Sequence, residues 1–338
     1  MIEHPSLDRP PSGSIRFNTD SAKLEIYNGE AWWDIDATSP EKRTGGTRGL
    51  YIGGQNSGNE IDAINIASTG NATDFGDVHY STSNLDGTSD RTRAVFSGGY
   101  GNEISKVQIE SQGNSSDFGD LTAARGNIHC AADRTRGLFM GGYNPSNPGG
   151  MNNIDYVTIQ SDGNAVDFGD IRDRNYEGSG MASPIRAIAT GGDSTPGNIG
   201  QAVGYIDAVI ISTLGNAVEF GEQHTFSTWQ RSCASNAVRG LIMGGYTSPD
   251  ETNRIEFISM SSAGKAKDFG DLTSSHRYSY AVSSPVRVCR AGGYNAPAST
   301  DIIDYVQIMT TGNAVDFGNL TSAMNKGASA SNGHGGLG

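Results

Sequence analysis

Apolar and polar positions alternate over a six-residue stretch that recurs along this chain, as in Ile61-Asp62-Ala63-Ile64-Asn65-Ile66, Ile154-Asp155-Tyr156-Val157-Thr158-Ile159 and Ile303-Asp304-Tyr305-Val306-Gln307-Ile308. A period of two, rich in β-branched residues, predicts strands. Each stretch has fixed companions. Before it runs a short apolar segment that opens on an Arg (Arg48, Arg93, Arg136, Arg186, Arg239, Arg287) and closes on a Gly pair (Gly53-Gly54, Gly98-Gly99, Gly141-Gly142, Gly191-Gly192, Gly244-Gly245, Gly292-Gly293). Two glycines end the segment where the backbone must turn or approach a neighbour too closely for a Cβ. After the stretch comes Gly-Asn-Ala or a variant, as at Gly163-Asn164-Ala165 and Gly312-Asn313-Ala314. That sequence tolerates positive φ and predicts a tight hairpin. A closing strand then carries Phe75, Phe118, Phe168, Phe220, Phe269 or Phe317 between an acid and a Gly. With a small, polar strand ahead of the Arg, as in residues 278–283, each unit has four strands, a to d.

Successive Gly pairs lie 45, 43, 50, 53 and 48 residues apart, the size of a propeller blade. The first unit lacks a strand a, and residues 324–334 supply one at the other end of the chain. Pairing of residues 328–331 with 50–52 would complete that unit and leave no open edge. The expected fold is all-β: a six-bladed, kelch-like β-propeller over residues 44–338, closed by a C-terminal strand. It is preceded by an N-terminal β module (1–38) and a linker (39–43). Strands that end in Gly-Gly, followed in four units by Tyr100, Tyr143, Tyr246 or Tyr294, resemble the kelch type of propeller. The chain departs from it in having Phe on the closing strand and no blade Trp in that register.

The first residues read differently. Residues 11–35 predict three short strands joined by turns at Asn18-Thr19-Asp20 and Asn28-Gly29-Glu30. So short a piece cannot bury a core alone, so Ile15, Phe17, Leu24, Ile26, Tyr27, Trp32 and Trp33 are expected to anchor it to a partner or to copies of itself, with the Trp pair buried. The string Gly13-x-Ile15-Arg16-Phe17-Asn18, Leu24-Glu25-x-Tyr27-x-Gly29-x-x-Trp32 is similar to a short β module recurrent in bacteriophage tail-fibre and other virion structural proteins. That resemblance implies a virion protein, made in the host cytoplasm: a tail fibre, knob or capsid decoration. It would attach through its N-terminus to other virion proteins, with self-association an option, and display a propeller to a host surface glycan or protein. A soluble lectin-like or scaffold propeller, or a glycan-degrading enzyme, are the alternatives.

Charge and chemistry narrow this further. A net charge of −13, from 24 Lys and Arg against 37 Asp and Glu, argues against nucleic acid. No apolar run is long enough for a membrane span, and residues 1–5 lack the basic and apolar regions of a signal peptide. Cys130, Cys233 and Cys289 are expected to be unpaired, small buried hydrophobes of a protein made in a reducing compartment. No catalytic set, cofactor site or metal-ligand spacing is apparent, and Asp-Phe-Gly lacks the nucleotide loop that would make it catalytic. Asp- and Asn-rich turns such as 86–90 and 249–253 offer oxygen ligands for calcium, although solvated turns are the preferred reading. Six acids, Asp74, Asp117, Asp167, Glu219, Asp268 and Asp316, match the six repeat arginines, and one ion pair per unit boundary is expected. The candidate ligand face lies on the linkers from strand d to strand a: Tyr80, Arg174, Tyr176, His224, Trp229, His276 and Tyr278. Trp229 and Tyr176 are expected to be exposed.

Overall fold

The computed structural model describes residues 10–18, 23–34, 46–56, 58–80, 82–146, 150–193, 204–224 and 228–338. The chain divides into two compact units, Met1–Arg43 and Thr44–Gly338. The expected linker, 39–43, lies outside the described residues.

In the first unit, Ile15–Asn18, Lys23–Tyr27 and Trp32–Asp34 form a three-stranded antiparallel sheet in sequential order. Asn28 makes the second turn, its Oδ1 accepting the N–H groups of Glu30 (2.8 Å) and Ala31 (2.9 Å). The register sets Ile15 opposite Ile26, Phe17 opposite Leu24, and Ile26 opposite Trp33. These five residues therefore share one face, and each is 36–61% exposed. On the other face Tyr27 is buried beside Trp32, with Arg16 over the Trp32 ring at 4.2 Å and bonded to Glu25 at 2.7 Å. The anchoring set thus divides between the two faces, with Trp33 61% exposed in the chain by itself.

The second unit contains six four-stranded antiparallel sheets among its described residues. Five are built from consecutive strands a to d, for example Tyr280–Ser283, Arg287–Ala291, Ile302–Gln307 and Val315–Asn319. The sixth joins the two ends of the unit: Ala328–Ser331 pairs with Arg48–Ile52, Ala328 opposite Ile52 and Ser331 opposite Gly49. This is the pairing expected from the sequence. Residues 86–90, read above as a turn, lie largely in strand a of the second sheet, Leu85–Ser89.

The seams between sheets explain the repeat. Every Phe of strand d is buried, and Phe75 packs with Leu85, Phe96 and Ile109 of the following sheet. In five of the six units the Gly after it has φ near +150° and sits against the carbonyl of the Gly-Asn turn one unit on. That turn donates two backbone bonds in return, as in Gly163 N to Phe118 O (2.9 Å) and Ala165 N to Asp120 O (2.7 Å). The same two bonds run from Gly70 and Ala72 of the first sheet to Phe317 and Asn319 of the last, at 2.9 and 2.8 Å.

The repeat arginines make a different contact from the one expected. Their acids are exposed. Each Arg instead donates Nη1 to carbonyls at the end of strand c in the next unit: Arg48 to Ile109, Arg136 to Ile211, Arg239 to Ile308, and Arg287 of the last to Ile66 and Ala67 of the first. Carbonyls at a strand end are otherwise unsatisfied, and the fork fills them without a buried charge pair. Buried acids lie elsewhere, at the second position of strand c. Asp62 accepts from Thr321, Asp155 from Thr122, and Asp304 from Thr273, each Thr belonging to the preceding unit.

The innermost strands are small and polar because their free edges face one another. Serine hydroxyls bridge them: Ser89 to Ser331 O, Ser331 to Ser283 O, Ser283 to Ser235 O and Ser235 to Ala182 O, all at 2.7–2.9 Å. Ala132 and Ala182 interrupt this series, and there Gly335 and Gly336 lie against the inner strands; a Cβ on Gly336 would stand 1.7 Å from Ala132 O. His334 caps that turn and bonds Ser89 O through Nε2 at 2.6 Å, while Arg91 and Arg134 hold Leu337 O.

Candidate binding face

Six residues, of which the sequence singled out Tyr278 alone, organise one end of the second unit. Asn84, Asn127, Glu177, Gln230, Tyr278 and Lys326 immediately precede or lie just before the six inner strands, and all have left-handed backbones with φ of 52–61°. Each N–H donates to the carbonyl of the member before it: Asn127 to Asn84 (3.0 Å), Glu177 to Asn127 (3.1 Å), Gln230 to Glu177 (2.6 Å), Tyr278 to Gln230 (2.7 Å), Lys326 to Tyr278 (3.2 Å) and Asn84 to Lys326 (2.7 Å). The bonds form one cycle. Only the asparagines favour this conformation locally, so the cycle must hold the other four in place.

The residue before a cycle member bridges in five units to the residue after a Gly pair: Gly126 with Tyr143, Tyr176 with Asp193, Trp229 with Tyr246, Arg277 with Tyr294, and Asn325 with Gln55. The pair's positive φ values, 61° and 105° at Gly244 and Gly245, turn the chain toward that bridge. Aromatic rings therefore gather around the cycle. Tyr100, Tyr143 and Tyr176 form one group, with centroids 6.1 and 5.0 Å apart. Trp229 and Tyr246, 5.1 Å apart, form another with Arg277, which lies over Tyr246, Tyr294 and Tyr278 at 4.8, 5.0 and 5.7 Å. Lys326 lies over the Tyr278 ring at 4.5 Å. Glu177 accepts from Gln230 Nε2 (2.8 Å) and Tyr278 OH (3.0 Å), and burial raises its pKa. The Tyr278 phenol is raised by burial and then by the Glu177 charge.

Of the expected ligand-face residues, this geometry brings Tyr176, Tyr278 and Trp229 together. Trp229 is 6% exposed, so it supports the face from beneath; its edge-on packing against Tyr246 covers it. His276 is also buried, its Nδ1 held by Ser274 O at 3.0 Å, and does not reach the surface. Tyr80 packs against His79 (4.7 Å), Arg174 is exposed on strand Val166–Asn175, and His224 is exposed with its N–H on Glu256 (3.1 Å). The cycle residues and the inner strands together line an open cavity of about 110 Å³. Among the described residues, no three His, Cys, Asp or Glu are grouped to hold a metal ion, and the three cysteines are free and buried.

A buried histidine beneath this face gives stability a pH dependence. His129 is fully buried, and burial lowers its pKa from 6.5 to about 4. As pH falls through 6.5 the unfolded chain takes up this proton, whereas the folded chain does so only near 4. The contribution is thus complete above 6.5 and is lost toward 4, by ~3 kcal/mol. Asp86, raised to about 7 by burial, acts in the opposite sense. The comparison of interest is therefore with His129→Phe: on going from about pH 7 to about pH 4.5, its urea midpoint should fall less than that of the unaltered chain. Equal falls would contradict the assignment.

No family model matches the chain, and no curated protein matches it. Among solved structures it is similar to the one described as "Structure of YjhT", with a TM-score of 0.63 and 12% sequence identity, over 74% of this chain and 87% of that one. At that identity the likeness shows the fold alone, an all-β arrangement of the β-propeller type.

Proposed function

We propose that this chain is a non-enzymatic structural protein of a bacteriophage particle, a tail fibre, knob or capsid decoration, anchored through residues 1–38. In this reading the six sheets are the blades of one closed, kelch-like propeller, and the face around the hydrogen-bond cycle binds a host surface glycan or protein. The observation that carries the anchoring is the open apolar face of Ile15, Phe17, Leu24, Ile26 and Trp33, on the module similar to virion proteins. Exposed apolar patches of this kind mark association surfaces. The bond cycle and the Phe317 to Gly70 seam support a closed ring. Clustered Tyr with Arg277 and Lys326 suit stacking and hydrogen bonding to sugar rings.

One observation favours a glycan-degrading enzyme instead: Glu177 has a raised pKa and feels the charge of Asp193. Glycoside hydrolysis uses such a pair of carboxyl groups. A single preparation tests both readings. Incubated with host-cell polysaccharide, the full chain is expected to retain it without releasing new reducing ends. Tyr278→Ala should weaken retention about tenfold, equivalent to roughly 1.4 kcal/mol. A chain lacking residues 1–43 should bind equally well yet be missing from assembled particles. New reducing ends would establish the enzyme, and normal incorporation of the shortened chain would remove the anchoring role.

A further inference from the structure

We infer that the second unit associates with a second copy of itself through an uncharged apolar crescent at the end opposite the cycle. There strand a turns into strand b, and one capping residue makes the turn. Asp90 Oδ1 accepts the N–H groups of Thr92 and Arg93, both at 2.8 Å, and Asn236 Oδ1 those of Val238 and Arg239, at 2.9 and 2.8 Å. Asp133, Ser183 and Ser284 do the same in the third, fourth and sixth sheets. The turn asks nothing of the two side chains after the cap. These are Arg91-Thr92 and Arg134-Thr135 in the second and third sheets, yet Pro184-Ile185, Ala237-Val238 and Pro285-Val286 in the next three. The fold accepts polar residues here, so the apolar ones need another cause.

All six apolar residues are exposed, Ile185, Val238 and Val286 at 57–60%, and they form one surface. Asn236 Nδ2 donates to Pro285 O (2.9 Å), tying the fifth turn to the sixth, and Ser235 Oγ to Ala182 O (2.7 Å) ties it to the fourth. Val286 O accepts from Ile308 N (3.0 Å) and Arg239 donates to Ile308 O (3.1 Å), which sets Met309, 51% exposed, next to both turns. Leu214, 57% exposed, extends the crescent past Ile185, whose carbonyl accepts from Ile211 N. Burial of an aliphatic side chain, about 1.5–3 kcal/mol at about 25 cal/mol per Å², corresponds to roughly 100 Å². Five side chains just over half exposed, with two prolines and an alanine, thus offer on the order of 400 Å², the size at which an apolar patch marks an association site. A second copy supplies an equal patch by symmetry. A two-fold axis near Val238, in the middle turn, lays one crescent on the other, so that apolar meets apolar and no charge is left unpaired. The total, roughly 800 Å² with polar turns at its rim, approaches the ~1,000 Å² of a weak, reversible interface. Each chain carries a net charge of −13, so copies repel at low salt and the pairing strengthens as salt screens them. The cycle lies at the other end of every strand a, so paired units turn two binding faces outward, and two equal sites gain by avidity on a repeating surface. The pairing itself does not depend on the proposed function.

Sedimentation velocity on the full chain should show an average mass that rises reversibly from monomer toward dimer with concentration, and more steeply at higher salt. Val238→Glu, on an exposed turn whose cap is unchanged, should fold and weaken the dimer about tenfold or more, since the interface would then enclose two unpaired charges. The N-terminal module has an open face of its own, so a second readout locates the contact. With the three native cysteines buried, pyrene attached to Val238→Cys should show excimer emission that is lost on dilution. A chain that stays monomeric, association that Val238→Glu leaves unchanged, or dimers without excimer emission each overturn the inference; the first outcome leaves the crescent to a different protein.

Discussion

A chain ending before Met324 should lose the cooperative unfolding transition of its second unit. The missing residues supply strand a of the first sheet, Ala328–Ser331, two bonds of the six-membered cycle through Lys326, and hydroxyl bridges from Ser329 and Ser331. They also remove Met324, Ala328 and Ala330, all nearly inaccessible, from two apolar clusters. Domain stability is typically about 5–15 kcal/mol, and the loss of a whole strand with its two packed faces is of that size. The exposed edge of Arg48–Ile52 would then invite aggregation. Near-UV circular dichroism on heating, with size-exclusion chromatography, reads the outcome, and a peptide of residues 324–338 added in trans should restore part of the signal. A shortened chain that melts within about 2 °C of the intact one, where 1 kcal/mol would shift a domain of this size by roughly 2–4 °C, would mean that the first sheet does not need its distant strand.

The second large effect concerns one position without a Cβ. Gly119→Ala is expected to cost ~4 kcal/mol or more, and Gly163→Ala only ~1–2 kcal/mol, although both glycines have φ near +150°, at 149° and 154°. The backbone penalty is common to the two. What differs is space: a Cβ on Gly119 would lie 2.4 Å from Gly163 O and 2.5 Å from its carbon, while a Cβ on Gly163 meets nothing within 4 Å. Relief requires moving the backbone of the next sheet, which strains the bonds of Gly163 and Ala165 to the Phe118 strand and the side-chain bond of Asn164 to Asp120 N at 3.1 Å. Hydrogen bonds of this kind contribute about 0.5–1.5 kcal/mol each, and Phe118 would lose close packing in addition. Urea midpoints of the two variants separate the terms, and equal losses would show that the seam is not sterically tight.

Much of this architecture can be read from residue order because its causes are local or repeated. Alternation marks strand c, the Gly pair marks the end of strand b, and the shared period reveals a strand displaced by almost the whole chain. The second N-terminal turn follows from Asn28-Gly29 chemistry in the same way, while most of the first, expected at Asn18-Thr19-Asp20, lies outside the described residues. The errors arise where long-range partners decide. Residues 85–89, Leu-Asp-Gly-Thr-Ser, have a turn's composition, but on an inner strand small polar residues serve neighbouring edges, as Ser89 serves Ser331 O. Equal numbers of Arg and acids suggested ion pairs because a sequence displays charges and not the carbonyls that compete for them. Trp229 seemed suited to the surface by type, yet the bridge from Trp229 to Tyr246 turns it under the face. The cycle itself left no trace, although Tyr278 was expected on a binding face: Glu177, Gln230, Tyr278 and Lys326 have no common chemistry, and their conformation is imposed by partners about 50 positions away.

One consequence follows for mechanical load. The chain enters its second unit at Arg48–Ile52, a strand hydrogen-bonded on one side to Glu60–Asn65 and on the other to Ala328–Ser331. Drawing that strand out of its sheet therefore breaks two rows of bonds, where an edge strand would give up one.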